Sequence, residues 1–145
     1  MNPYLNQYKK AQVQTASPEQ ILIMLYDGAI RFLNQAKVHI ANKDIEQSHV
    51  NIVKAQRIIT EFMSSLDMDM GGEMAVNLFN LYEYLHYRLV QANIKKDVEA
   101  LDEVLGHLRS LKATWEEAIK IAAKEKEEAV GGDEYPGSSS VYASA

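Results

Sequence analysis

The chain has 145 residues, a formal net charge of −5 and no cysteine. A single domain of this length buries enough apolar surface to hold together without staples, and the lack of thiols excludes disulfides and thiolate metal sites. The acidic balance argues against nucleic acid as a partner, because neutralising phosphates needs clustered Lys and Arg.

The first sixteen residues are polar, carry Lys9 and Lys10 and read as an extended arm. They lack the apolar run of a secretory signal. No stretch approaches the ~20 apolar residues that cross a bilayer, so a cytoplasmic chain without direct membrane insertion is expected. The prolines are Pro3, Pro18 and Pro136, which leaves the long interval between the last two free to be helical. Ser17-Pro18-Glu19-Gln20 offers a capping box with proline in the first helical position and an acidic first turn. The first helix should therefore run over 17–42. Asp44-Ile45-Glu46-Gln47 repeats the signal and opens a second helix reaching about 66. Gly71-Gly72 breaks the chain before a third helix over 73–93. Asp97 is an N-cap for a fourth, over 98–129, which Gly131-Gly132 stops. The segment 131–145, rich in Gly and Ser, reads as a disordered tail dispensable for folding. Short connections between long helices force antiparallel neighbours. The predicted architecture is all-α: an up-down-up-down four-helix bundle over 17–130, preceded by an arm (1–16) and followed by a tail (131–145).

Placing residues at 100° per step gives each helix a core stripe. The predicted stripes are Ile21, Leu25, Ala29, Phe32, Ala36 and Ile40; Ile45, Ile52, Ala55, Ile59, Phe62 and Leu66; Met74, Leu78, Leu81, Leu85, Leu89 and Ala92; and Leu101, Val104, Leu108, Leu111, Trp115, Ile119 and Ala122. The fourth helix is amphipathic in the ordinary one-sided way, with Glu99, Glu103, His107, Ser110 and Glu117 on its far face. The first and third are apolar on both sides. Opposite the core lie Ile23, Tyr26 and Ile30 on the first helix, and Val76, Phe79, Tyr87, Val90 and Ile94 on the third. Either these positions are covered by the arm, through Tyr4, Leu5 and Tyr8, or tilted helices bury wide stripes, or they form a groove for a partner polypeptide.

Motifs for catalysis are sparse. Glu46…His49 and Glu83…His86 repeat the Glu-x-x-His spacing of di-metal bundles. Both glutamates, however, point away from the core stripes, and the first and fourth helices add no acidic core residue. A ferritin-like di-metal enzyme is thus a weak rival, as is a structural, oligomerising bundle. There is no phosphate loop, nucleophile elbow or cofactor fingerprint, so no cofactor and no metal are expected. Asp27 reads as a solvated charge, and Gly28, within a helix, as a point of close backbone approach.

The segment Tyr8…Thr15-Ala16-Ser17-Pro18-Glu19-Gln20-Ile21-Leu22-Ile23-Met24-Leu25-Tyr26-Asp27-Gly28-Ala29-Ile30-Arg31-Phe32, with Asn2-Pro3-Tyr4 before it, resembles the start of the flagellar export chaperone family, FliS. The resemblance continues through Lys54-Ala55-Gln56-Arg57-Ile58-Ile59, through Tyr84…Tyr87-Arg88-Leu89-Val90-Gln91-Ala92-Asn93-Ile94-Lys95-Lys96-Asp97, and through Trp115 with Ala118-Ile119. It covers about residues 2 to 123, and the tail beyond Val130 has no counterpart in it. It implies a non-enzymatic helical bundle that holds newly made flagellin in the cytoplasm. The client's C-terminal segment, unstructured when free, would wrap the bundle as short helices. Members also contact the export-gate membrane protein, and some bind an anti-sigma factor. The N-terminal arm of such proteins lies over the client groove in the free form. On this basis Ile23, Tyr26, Ile30, Val76, Phe79, Tyr87, Val90 and Ile94 are candidate client contacts, and Tyr4, Leu5 and Tyr8 candidate arm residues.

Overall fold

The computed structural model describes residues 15–129 together with Gln7 and Tyr142. Four helices follow one another: α1 (Pro18–Ala41), α2 (Ile45–Ser65), α3 (Gly72–Lys95) and α4 (Val98–Glu128). Three of the four starts, all but that of α3 at Gly71, are set by a side chain that satisfies amides of the first turn. Ser17 Oγ accepts from the Gln20 amide (3.2 Å) while Gln20 Oε1 accepts from the Ser17 amide (2.9 Å), completing the expected capping box. Asp44 Oδ1 accepts from the Gln47 amide (3.1 Å), and Asp97 Oδ1 from the amides of Glu99 (3.0 Å) and Ala100 (3.3 Å). Lys96 closes α3 in the left-handed conformation (φ 52°), where the Asp97 amide reaches back to the Ala92 carbonyl at 3.0 Å.

The helices pack in a ring, α1 on α2, α2 on α3, α3 on α4 and α4 on α1. Short connections make the neighbours antiparallel, as predicted, and leave α1 and α3 diagonal across the core. The α2 stripe is as expected, except that Ile45 is exposed at the helix end. In α4, Ala100 and Leu105 widen the predicted stripe. In α3 the stripe begins at Ala75 and Tyr82, while Met74 is 59% exposed. The larger correction is in α1. Its core stripe is Leu22, Tyr26, Ala29, Leu33, Ala36 and Ile40, turned by roughly 50° from the predicted one at 100° per residue. Ile21, Leu25 and Phe32 are only half-buried, as are Leu22 and Ile40 at the two ends of the observed stripe.

That rotation is fixed by a layer of aromatic rings. Tyr26 of α1 stacks on Phe62 of α2 (centroids 4.4 Å), and Phe62 lies 5.3 Å from Tyr82 of α3. The Tyr26 and Tyr82 hydroxyls hydrogen-bond at 2.5 Å across the diagonal. Tyr142, in the tail, adds a fourth ring and Trp115 of α4 a fifth. Its hydroxyl hydrogen-bonds that of Tyr82, its ring lies 5.3 Å from Trp115 of α4, and its backbone forms an isolated antiparallel bridge with Leu66. The tail expected to be disordered therefore makes a contact at Tyr142, where a half-buried ring packed among Leu66, Tyr82 and Trp115 offsets part of the cost of ordering it. The remaining buried polar groups are satisfied locally: Ser48 Oγ donates to the Ile45 carbonyl (2.7 Å) and Asn51 Nδ2 to the Gln47 carbonyl (2.8 Å).

Two other expectations change. Asp27 is not simply solvated, since it pairs with Lys112 of α4 at 2.7 Å, parallel to a Lys37–Asp102 pair at 2.6 Å, so both pairs tie α1 to α4. At Gly28 an added Cβ would meet only Ile58 Cδ1 at 3.5 Å, an ordinary contact with the tip of a side chain and not with backbone. Gly28→Ala should therefore raise stability by about 0.5–1 kcal/mol through helix propensity. A chemical-denaturation midpoint at or below that of the wild type would show a clash.

Burial, and then the neighbouring tyrosine charge, raises the ionisation of both Tyr26 and Tyr82 far above the usual phenol value. The folded values exceed the unfolded ones, so this part of the stability is complete below pH ~10 and is lost as pH rises beyond it, at about 1.4 kcal/mol per pH unit for each tyrosine. Denaturant midpoints should be level in this respect from pH 8 to 10 and fall steeply above. Tyr82→Phe should remove part of that alkaline slope. An unchanged slope would mean that the hydroxyls are not held as described.

Candidate functional site

The outer face of α3 presents Val76, Asn80, Glu83, Tyr87, Val90 and Ile94 at alternating steps of four and three, within about 80° of arc and along ~27 Å of helix. Its apolar members are open to solvent: Val76 is 45% exposed, Val90 36%, Tyr87 57% and Ile94 77%. Nothing in the bundle's own packing calls for apolar residues there, because α3 already buries Leu85, Leu89 and Ala92 on its opposite side. Phe79, at the edge of the stripe, is half-buried and packs against the core.

One flank of this stripe is fixed by a run of polar side chains. Gln91 Nε2 donates to the Tyr87 hydroxyl (2.9 Å), Arg88 Nη1 donates to Gln91 Oε1 (2.8 Å), and Arg88 Nε donates to Glu103 Oε1 of α4 (2.8 Å). The Tyr84 hydroxyl donates to the same carboxylate. Together these bonds restrain Tyr87 and Arg88, and a restrained side chain costs less entropy when a partner docks on it. The Tyr84 hydroxyl and then Arg88 hold the Glu103 carboxyl below its ordinary value. Glu103 is thus a link between α3 and α4 and not a free charge of the α4 far face. Sequence reasoning missed it because its partners lie on another helix.

The α1 candidates divide. Tyr26 is fully buried and leaves the surface set; its hydroxyl is satisfied by Tyr82 inside the core. Ile23 is half-buried and lines a groove of about 1000 Å3 between the start of α1 and the second half of α4, beside Met24, Glu116, Ile119 and Ala123. Ile30 lines a shallower hollow of about 480 Å3 with Arg31, Asn34 and Val38. Ile23 and Ile30 lie on α1, diagonal to the helix that carries the stripe. Tyr4, Leu5 and Tyr8 lie outside the described residues.

The Glu-x-x-His pairs do not converge. Glu46, His49 and Glu83 are exposed, and His49 Nδ1 hydrogen-bonds Asn93 Nδ2 at 2.9 Å. Among the described residues no three His, Asp or Glu side chains gather where a metal ion could sit, and no helix is long and apolar enough to cross a membrane. What the fold gathers is apolar surface on separate faces of the bundle.

The model of the family described as flagellar protein FliS matches residues 1–122, and the chain belongs to that family. It is 37% identical over 125 residues to the flagellar secretion chaperone FliS of Bacillus subtilis, covering 86% of this chain and 92% of the relative. To the flagellar secretion chaperone FliS of Salmonella typhimurium it is 37% identical over 109 residues (74% of this chain, 81% of the relative), and to that of Escherichia coli 33% over 111 residues (76% and 82%). The family is one of secretion chaperones and not of enzymes, and its role implies a flagellar protein as partner.

If the α3 stripe is surface and not core, polar replacements there are cheap for folding. Val90→Asn and Ile94→Asn should each shift stability by no more than about 0.5 kcal/mol, the range of ordinary surface changes. A loss above about 2 kcal/mol in equilibrium unfolding would place those side chains in the core.

Proposed function

We propose that this chain is a cytoplasmic chaperone of flagellin. It binds the unstructured C-terminal segment of flagellin, prevents premature polymerisation and helps to deliver the client to the flagellar export apparatus. The observation that carries this reading is the exposed stripe Val76, Tyr87, Val90 and Ile94 on α3, on a different face from the α1–α4 groove that contains Ile23. Two apolar surfaces on different faces of one bundle suit a client that wraps around it as short amphipathic helices, each burying its apolar face against one of them. A flagellin segment held this way is denied to other flagellin molecules. Membership of a family of flagellar secretion chaperones supports the same reading. We further propose that the arm residues Tyr4, Leu5 and Tyr8 cover part of the client surface in the free chain or dock at the export-gate membrane protein. An anti-sigma factor is a further candidate partner.

The test is a binding titration with flagellin, full-length and lacking its C-terminal segment. Deletion should abolish binding. Polar replacement of Tyr87, Val90 or Ile94 should each weaken it by about one to two decades, the worth of roughly 1.5–3 kcal/mol for a large apolar side chain buried against a partner. Glu117→Gln, on the exposed α4 face, is the control and should change neither binding nor stability. Undiminished binding of the truncated flagellin would refute the assignment of the client segment. Undiminished binding by all three variants would move the site away from α3.

A further inference from the structure

Tyr142 lies beyond residues 1–122, so its place on the bundle is not part of what the family match covers. It fills a slot with three sides. Tyr82 offers a hydroxyl at the floor, Trp115 an aromatic wall 5.3 Å from the ring centroid, and Leu66 an extended backbone (φ −63°, ψ 133°) that pairs with Tyr142 in an antiparallel bridge. With the ring in place, Leu66 and Trp115 are each only 7% exposed. None of the three belongs to the α3 stripe or to the α1–α4 groove. Backbone pairing on one side and a pocket for a single side chain on the other are the two elements by which extended peptides are recognised. The backbone pairing is indifferent to sequence, whereas the aromatic wall and the buried hydroxyl select a tyrosine ring.

The same features make the contact exchangeable. Around Tyr142 the sequence is Gly137-Ser138-Ser139-Ser140-Val141 and Ala143-Ser144-Ala145, which supplies one large side chain and no second aromatic anchor. Twelve residues lie between Ala129, the C-cap of α4, and Tyr142. The closure entropy of a loop of that length and the gain from burying one ring are of the same order, so the slot is filled but not locked. A tethered ring is also present at an effective concentration in the millimolar range, which keeps weaker ligands out.

We propose that Leu66, Tyr82 and Trp115 form a binding site for an extended segment that presents a tyrosine ring, and that Tyr142 of the chain's own tail occupies it in cis. Trp115 is the only tryptophan, so its fluorescence reads the slot directly. The experiment compares full-length wild type, Tyr142→Phe and Tyr142→Ala, with helix content checked by circular dichroism. Tyr142→Ala should raise the acrylamide quenching constant of Trp115 about twofold, because an otherwise buried ring loses one wall. Tyr142→Phe should keep the shielding. A capped peptide with the sequence of residues 137–145 should then restore shielding to Tyr142→Ala with half-effect in the millimolar range. The same peptide with its tyrosine replaced by alanine should not, and the wild type should not respond to either. Equal quenching in wild type and Tyr142→Ala would overturn the occupancy. Unshielded Trp115 with no response to about 10 mM peptide would reduce the contact to a strap and overturn the site. Should Tyr142→Ala lose helix content, Tyr142→Leu, which keeps an apolar side chain without the ring, carries the same readings.

Discussion

A hydroxyl group buried in a helical core has to find a partner there, and Tyr26 and Tyr82 each satisfy the other at 2.5 Å. The geometry of this pair propagates through the bundle. Because the two residues sit on diagonal helices, their bond fixes the separation of α1 and α3 as well as the rotation of each about its own axis. Phe62 of α2 fills the space beside both rings, and Trp115 of α4 closes the layer through Tyr142. Every helix thus contributes one ring to a single cross-section, and a shift of any helix along its axis would break a stacking contact or leave a buried oxygen unpaired. Away from this layer the core is mostly Ala, Leu, Ile and Val, which tolerate small adjustments.

This constraint explains which parts of the fold were legible in the sequence. Helix starts were, because Ser17, Asp44 and Asp97 act on amides two or three residues away, and a cap is a local event. So was the order of packing, since connections as short as Asn42-Lys43-Asp44 leave only an antiparallel return. The rotation of α1 was not. Counted by side chain alone, Tyr26 reads as an amphipathic residue fit for a surface. It belongs to the core only because Tyr82 stands 56 positions further along the chain. Asp27 and Glu103 were misread for the same reason: what satisfies each is a charge on a different helix, Lys112 for one and Arg88 for the other.

The candidate surface was legible to the extent that it conflicts with local rules. Val76, Tyr87, Val90 and Ile94 recur at helical spacing on the side of α3 where water-facing residues belong, and they remain on that side in the fold. Ile23 and Ile30 were singled out by the same logic but carry less weight. α1 is flanked by α2 and α4, and its buried arc is wide enough to half-cover both. The polar run from Tyr87 to Glu103 had no signature in the sequence, because two of its members look like ordinary surface charges until α4 is laid beside α3.

A bundle whose shape is set by one internal aromatic layer has its outer faces free for other uses. The α3 stripe contributes little to the core, and the Tyr87–Gln91–Arg88–Glu103 run ties it to α4 at the surface without burying it. On the proposed reading, stability and recognition are carried by different sets of residues on the same helix, Leu85, Leu89 and Ala92 inward and Tyr87, Val90 and Ile94 outward. Tyr82 is where the two come closest, since the ring that anchors the core also supplies the hydroxyl that Tyr142 meets at the bundle's edge. Ordering at that edge is then coupled to the packing of the core, and a segment that replaced Tyr142 would act on the one layer to which all four helices contribute.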